Sequence, residues 1–77
     1  NTIYNGKSIG FFPNPFIDRL NIEGKSIESI EVFDSFGRLI YYSTSCSSIE
    51  NISWPNGIYI LKVKSINNYE FFKLIKK

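Results

Sequence analysis

The sequence predicts an all-β domain, a two-sheet antiparallel sandwich of about seven strands, and three observations lead to it. Apolar and polar residues alternate at period two in several short runs, turn-forming Asp, Asn, Gly and Pro clusters recur roughly every ten residues, and no segment sustains the 3.6-residue period of an amphipathic helix. A closed five-stranded barrel is the main architectural alternative.

The first strand is expected over Ile9 to Phe12, before Pro13-Asn14-Pro15. Asp18 to Glu23 follows, with Leu20 and Ile22 on one face and polar neighbours on the other, until Gly24-Lys25-Ser26 ends it. Ser29 to Asp34 places Ile30 and Val32 on one side, with Glu31 and Phe33 opposite. Asp34-Ser35-Phe36-Gly37 then encodes a hairpin, since Asp bonds the backbone ahead of it and Gly37 supplies a positive φ. Arg38 to Tyr42 is the returning strand. Beyond a Ser/Thr-rich run, Ile49 and Ile52 suggest a short edge strand, stopped by Trp54-Pro55-Asn56-Gly57. Gly57 to Lys64 has the clearest alternation: Tyr59, Leu61 and Val63 form a core face, and Ile58, Ile60, Lys62 and Lys64 a face that passes from apolar to cationic. A second hairpin with Asn67-Asn68 at its tip returns through Tyr69 to Lys76.

Seventy-seven residues make one domain, of which 43% are hydrophobic and 17% aromatic, enough for a core and too much for a disordered chain. The net charge of +2 is small for a nucleic-acid binder. Its distribution is uneven: five lysines (Lys62, Lys64, Lys73, Lys76, Lys77) face one acid, Glu70, from residue 62 onward, whereas four basic groups face six acids before it. A solvated strand face is the plain reading of that cationic end. No apolar run approaches the roughly 20 residues of a membrane-spanning helix. The polar start at Asn1 reads as a cut within a longer protein, and Asn1 to Ser8 as the end of a linker.

The residues expected for catalysis are missing. With no histidine, no serine has its usual activating base, and zinc or redox sites have no ligand set around the single Cys46. The seven acids lie beside turns or on exposed strand faces, Asp34 stands apart from other oxygen ligands, and no glycine loop cradles phosphate. The expectation is therefore no enzyme, no metal and no cofactor. Trp54, Tyr41, Tyr42 and Phe36 could stack on sugar rings, which makes a carbohydrate- or surface-binding sandwich module the alternative function. Alternation instead turns Tyr41 or Tyr42 inward and sets Trp54 over one end of the sandwich. A single-strand nucleic-acid platform built on Tyr69, Phe71 and Phe72 is a poor fit to so little charge.

Four motifs occur in order: Pro13-Asn14-Pro15-Phe16 followed by Leu20-x-Ile22; Ile30-x-Val32-x-Asp34-x-x-Gly37-Arg38; Asn56-Gly57-Ile58-Tyr59-Ile60-Leu61-Lys62-Val63; and Lys73-Leu74-Ile75-Lys76-Lys77. From Phe11 to Lys77 this series resembles the type A C-terminal sorting domain of the type IX secretion system. The resemblance implies an immunoglobulin-like β-sandwich over residues 9–77, with 1–8 ending a linker from an upstream cargo domain. It further implies a signal borne by proteins exported across the outer membrane of Bacteroidota-type bacteria, after a separate N-terminal signal has taken them to the periplasm. The implied partners are the translocon, its outer-membrane shuttle β-barrel, and a cell-surface sortase-like peptidase that can attach the cargo to an anionic lipopolysaccharide. The cargo then ends secreted or on the cell surface.

On this reading Lys73, Leu74, Ile75, Lys76 and Lys77 are the translocon-recognition residues. A terminal strand with unpaired backbone could add to a partner's sheet, with Leu74 and Ile75 giving shape and the lysines orientation. The same lysines would equally guard an edge strand against aggregation. The remaining matched residues are architectural: Pro13, Asn14 and Pro15 lead into the first core strand, Asp34, Gly37 and Gly57 make turns, and Tyr59, Leu61 and Val63 fill the core. Exposed edges also leave homodimerisation open.

Overall fold

The structure is a computed structural model that describes residues 9–24, 26–44, 48–66 and 68–77. The expected linker over 1–8, Cys46 and Asn67 lie outside the described residues. Seven strands follow in order: β1 (Ile9–Phe12), β2 (Leu20–Gly24), β3 (Ile27–Phe33), β4 (Leu39–Ser43), β5 (Ser48–Ile49), β6 (Gly57–Ser65) and β7 (Tyr69–Lys76). They form two antiparallel sheets, β1-β2-β5 and β4-β3-β6-β7. With strands lettered as in immunoglobulin domains these are A-B-E and C′-C-F-G, so the expected sandwich is present and the barrel alternative is not.

Period-two patterning explains the packing of the two sheets. Leu20 and Ile22 from β2 meet Ile30 and Val32 from β3, Tyr59, Leu61 and Val63 from β6, and Leu74 from β7, all buried. Each such side chain contributes about 1.5–3 kcal/mol by leaving water. Boundaries differ modestly from the alternation. β3 begins at Ile27 because a register shift between Ile27 and Ser29 lets it stay paired with β6. The short edge strand holds Ile49 but not Ile52. Asn51, at φ 57°, turns the chain out of the strand, while Ile52 donates its N–H to the Asp18 carbonyl at 3.0 Å and remains buried.

Aromatic rings close one end of the core. Trp54 lies 5.3 Å from the Tyr59 ring, 6.1 Å from Phe16 and 6.2 Å from Tyr41. The Tyr59 hydroxyl donates to the Pro55 carbonyl four residues upstream, the tyrosine-corner arrangement found at the start of strand F. Tyr41 and Trp54 thus pack inward, whereas Tyr42 is exposed.

The β3–β4 hairpin is built as its residues require. Gly37 has φ 84° and donates its N–H to the Asp34 carbonyl at 3.0 Å; the Asp34 N–H donates to the Arg38 carbonyl at 2.9 Å. One Asp34 carboxylate oxygen accepts the N–H groups of Phe36 and Arg38, each at 2.9 Å, and the other accepts Arg38 Nε at 2.7 Å. The Arg38 backbone N–H is the chief cause that holds the carboxyl below the usual carboxylate range, with the Arg38 side chain and the Phe36 N–H adding to it against partial desolvation.

A Cβ at Gly37 would meet no atom within 4 Å, so the cost of a side chain there is backbone strain alone. Gly37→Val should lower stability by about 1–3 kcal/mol, read from urea unfolding, and an unchanged midpoint would refute the positive-φ account. The depressed pKa of Asp34 gives stability that is fully present above the unfolded value near pH 4 and is lost as pH falls through the lower folded value. Melting temperatures of wild type and Asp34→Asn should therefore converge below about pH 4 and separate above it; parallel pH profiles would show that the charge contributes nothing.

Candidate functional site

β7 is an edge strand with two unlike faces. Leu74 is fully buried in the core, and Lys76 is buried beside it with its ammonium donating to the Lys77 carbonyl at 3.1 Å. Lys73 and Lys77 are exposed on the opposite face, with Ile75 half-buried between them. The five residues singled out by sequence are therefore brought to one strand but not to one surface. Alternation along a strand separates them into Lys73, Ile75 and Lys77 outside, and Leu74 and Lys76 inside. Leu74 offers no apolar knob to a partner of the folded domain.

The backbone of this end is also occupied, contrary to the expectation of unpaired groups. Asn14 Oδ1 accepts the Ile75 N–H at 2.9 Å, and Asn14 Nδ2 donates to the Lys73 carbonyl at 3.2 Å. Phe16 continues the clasp: its N–H donates to the Ile75 carbonyl at 2.9 Å and its carbonyl accepts the Lys77 N–H at 2.8 Å. Phe16 makes a parallel bridge with Lys76, and its ring is wholly buried. The loop Pro13-Asn14-Pro15, whose two prolines both follow cis peptide bonds, thus acts as a short fifth strand along β7. Sequence reasoning assigned Asn14 to the lead-in of a core strand. Its partners lie about sixty positions away, and no local pattern signals such a bond.

The outer face of the four-stranded sheet continues the surface that carries Lys73, Ile75 and Lys77. Cross-strand register sets Leu39, Phe33, Ile60 and Lys73 in one row and Ile58 beside Ile75 in the next. A second row runs Tyr42, Glu31, Lys62, Phe71, followed by Ser29, Lys64, Tyr69. Lys62 pairs with Glu31 at 3.5 Å and Lys64 with Glu28 at 3.7 Å. Lys62 also sits 4.4 Å from the centroid of Tyr69 and 5.9 Å from that of Phe71, so the ammonium occupies the ring face a sugar would need. Among the described residues no cluster of three potential metal ligands occurs.

Sequence similarity decides the family of the domain that carries this strand. The sequence model of the family described as the secretion system C-terminal sorting domain matches residues 10–77. The chain belongs to this family. It is a type IX secretion sorting domain: a targeting module that engages the type IX machinery and directs export to the cell surface or the extracellular space. No curated protein matches the chain. The matched span runs from β1 through β7, so the sorting domain includes both the clasp loop and the strand it holds.

Asn14→Ala should remove both side-chain bonds to β7 and cost the sorting domain about 1–3 kcal/mol. Hydrogen exchange at the Ile75 amide should accelerate while that of Leu61 follows global stability; unchanged protection at Ile75 would show that the asparagine does not hold the strand.

Proposed function

We propose that the sorting domain carries a cargo protein, already brought to the periplasm by a separate N-terminal signal, to the outer-membrane translocon and its shuttle β-barrel. A sortase-like peptidase then removes the domain, either releasing the cargo or joining it to the cell surface. Of the five terminal-strand residues, Lys73, Ile75 and Lys77 make the contacts with the translocon. Leu74 and Lys76 act from behind, holding the strand in place. The observation that carries this reading is the two-faced β7 of a matched sorting domain, clasped so that Lys73 and Lys77 face solvent while Lys76 is buried. A homodimer formed through the four-stranded sheet would have to pair through β4 or the Tyr69–Phe71 stretch of β7, because Asn14 and Phe16 cover the remainder of that edge; β1 and β5 are the edges of the other sheet.

Removing residues 73–77 deletes Leu74 from the core, so such a truncation tests folding as much as recognition. A gain-of-function experiment avoids this. A fluorescent reporter with a periplasmic signal at its N-terminus and Asn1 to Lys77 at its C-terminus should reach the medium or cell surface only in bacteria that possess the type IX apparatus. It should arrive shortened by the mass of the domain. Folded reporter retained in the periplasm with and without the apparatus would overturn the reading and favour glycan binding through the exposed rings of Tyr42 and Phe36. Export at full length would overturn the cleavage step alone.

A further inference from the structure

The outer face of the β4-β3-β6-β7 sheet is divided electrostatically. In the half bearing Lys62 and Lys64, each ammonium has a carboxylate partner on β3, and Lys62 lies over aromatic rings. In the other half, Lys73 and Lys77 have no carboxylate within ion-pair reach among the described residues. Between and beside these two cations lie Ile75, Ile58, Ile60, Phe33 and Leu39. Ile58, near the start of the central strand β6, is 49% exposed, and Leu39, at the start of the edge strand β4, is 51% exposed. A shallow depression of 460 Å³ opens there, lined by Phe33, Asp34, Ser35, Gly37, Ile58 and Ile60. The clasp closes the neighbouring backbone edge, so a partner on this half must dock on side chains and cannot extend the sheet.

We propose that this half-face is the docking surface of the sorting domain, and that its occupant is a protein surface with an apolar side chain at its centre and carboxylates at its rim. The apolar group fills the depression over Ile58 and Ile60, while the carboxylates meet Lys73 and Lys77. Recognition is then composite, shared by β4, β3, β6 and β7, rather than confined to the last five residues. This rests on the reading that the outward residues of β7 contact the secretion machinery. Charge complementarity sets the occupant: two cations without a carboxylate partner among the described residues lie along the β7 side of an apolar hollow, whereas the equally exposed aromatic half carries its own counter-charges. An anionic membrane surface suits this half less well, because the depression admits an inserted side chain and Lys73 and Lys77 are too few cations to hold a lipid surface by charge, even with Phe36 exposed at the hairpin tip beside it.

The test exports the same reporter, carrying the full chain, in a bacterium with the type IX apparatus. Ile58→Glu, Leu39→Glu and the double reversal Lys73→Glu/Lys77→Glu should each reduce export by about tenfold or more, the scale of a lost interface anchor. Tyr42→Glu and Phe71→Glu, at positions 56% and 64% exposed on the neutralised half, serve as controls and should leave export within about twofold. Melting temperatures are measured for all. Should Ile58→Glu unfold the domain, Leu39→Glu and the charge reversal, both at exposed sites, carry the comparison. Equal sensitivity of the two halves, or of neither, with wild type exported would overturn the inference and leave the sorting reading intact. Failure of wild type itself would overturn both. Sedimentation of the purified chain with phosphatidylglycerol vesicles, abolished by the same variants, would reassign the surface to lipid.

Discussion

The clasp between Asn14 and β7 is the contact on which the rest of this structure depends. An asparagine amide carries a donor and an acceptor side by side, the same pair a peptide unit presents, so a single side chain can stand in for a strand residue. Asn14 does this against Lys73 and Ile75, and Phe16 completes the imitation with its own backbone. The clasp joins the loop after β1 to the last strand, tying the three-stranded sheet to the far edge of the four-stranded one. A domain of this size has little burial to spare, and its terminal strand would otherwise fray first.

Once β7 is held, the remaining features follow from the pleat. Leu74 enters the core between the sheets, Lys76 lays its stem along the core and turns its ammonium to the Lys77 carbonyl, and the residues between them face out. The hairpin at Asp34 matters to the same surface, since its turn walls the depression at the end of β3. Lysines that are exposed for solubility are usually interspersed with acids, as Lys62 and Lys64 are here. Lys73 and Lys77 depart from that arrangement beside the exposed aliphatic side chains of Ile58 and Leu39.

Much of the fold was legible in the sequence because alternation is a local signal. Tyr59, Leu61 and Val63 declared their shared face, the Asp34 to Gly37 turn declared its hairpin, and the inward packing of Trp54 followed from its place beside a turn. The candidate site was legible only in part. Motif order identified the family and drew attention to Lys73 through Lys77, yet reading them as one contiguous peptide placed Leu74 on the wrong side of the strand. Asn14 was hidden for a different reason: a side chain that bonds residues sixty positions away leaves no periodicity behind. Nor could the sequence show that Leu39, on a strand separated from β7 by two others, shares a row with Lys73.

The two-sided construction of β7 gives the terminal segment a parity. Inserting one residue after the tip of the last hairpin would send Lys73 and Lys77 toward the core and turn Leu74 outward, while inserting two would restore every side chain to its own side. Sequences that end in the same five letters therefore need not display the same surface; what they display depends on whether the count back to the preceding turn is odd or even.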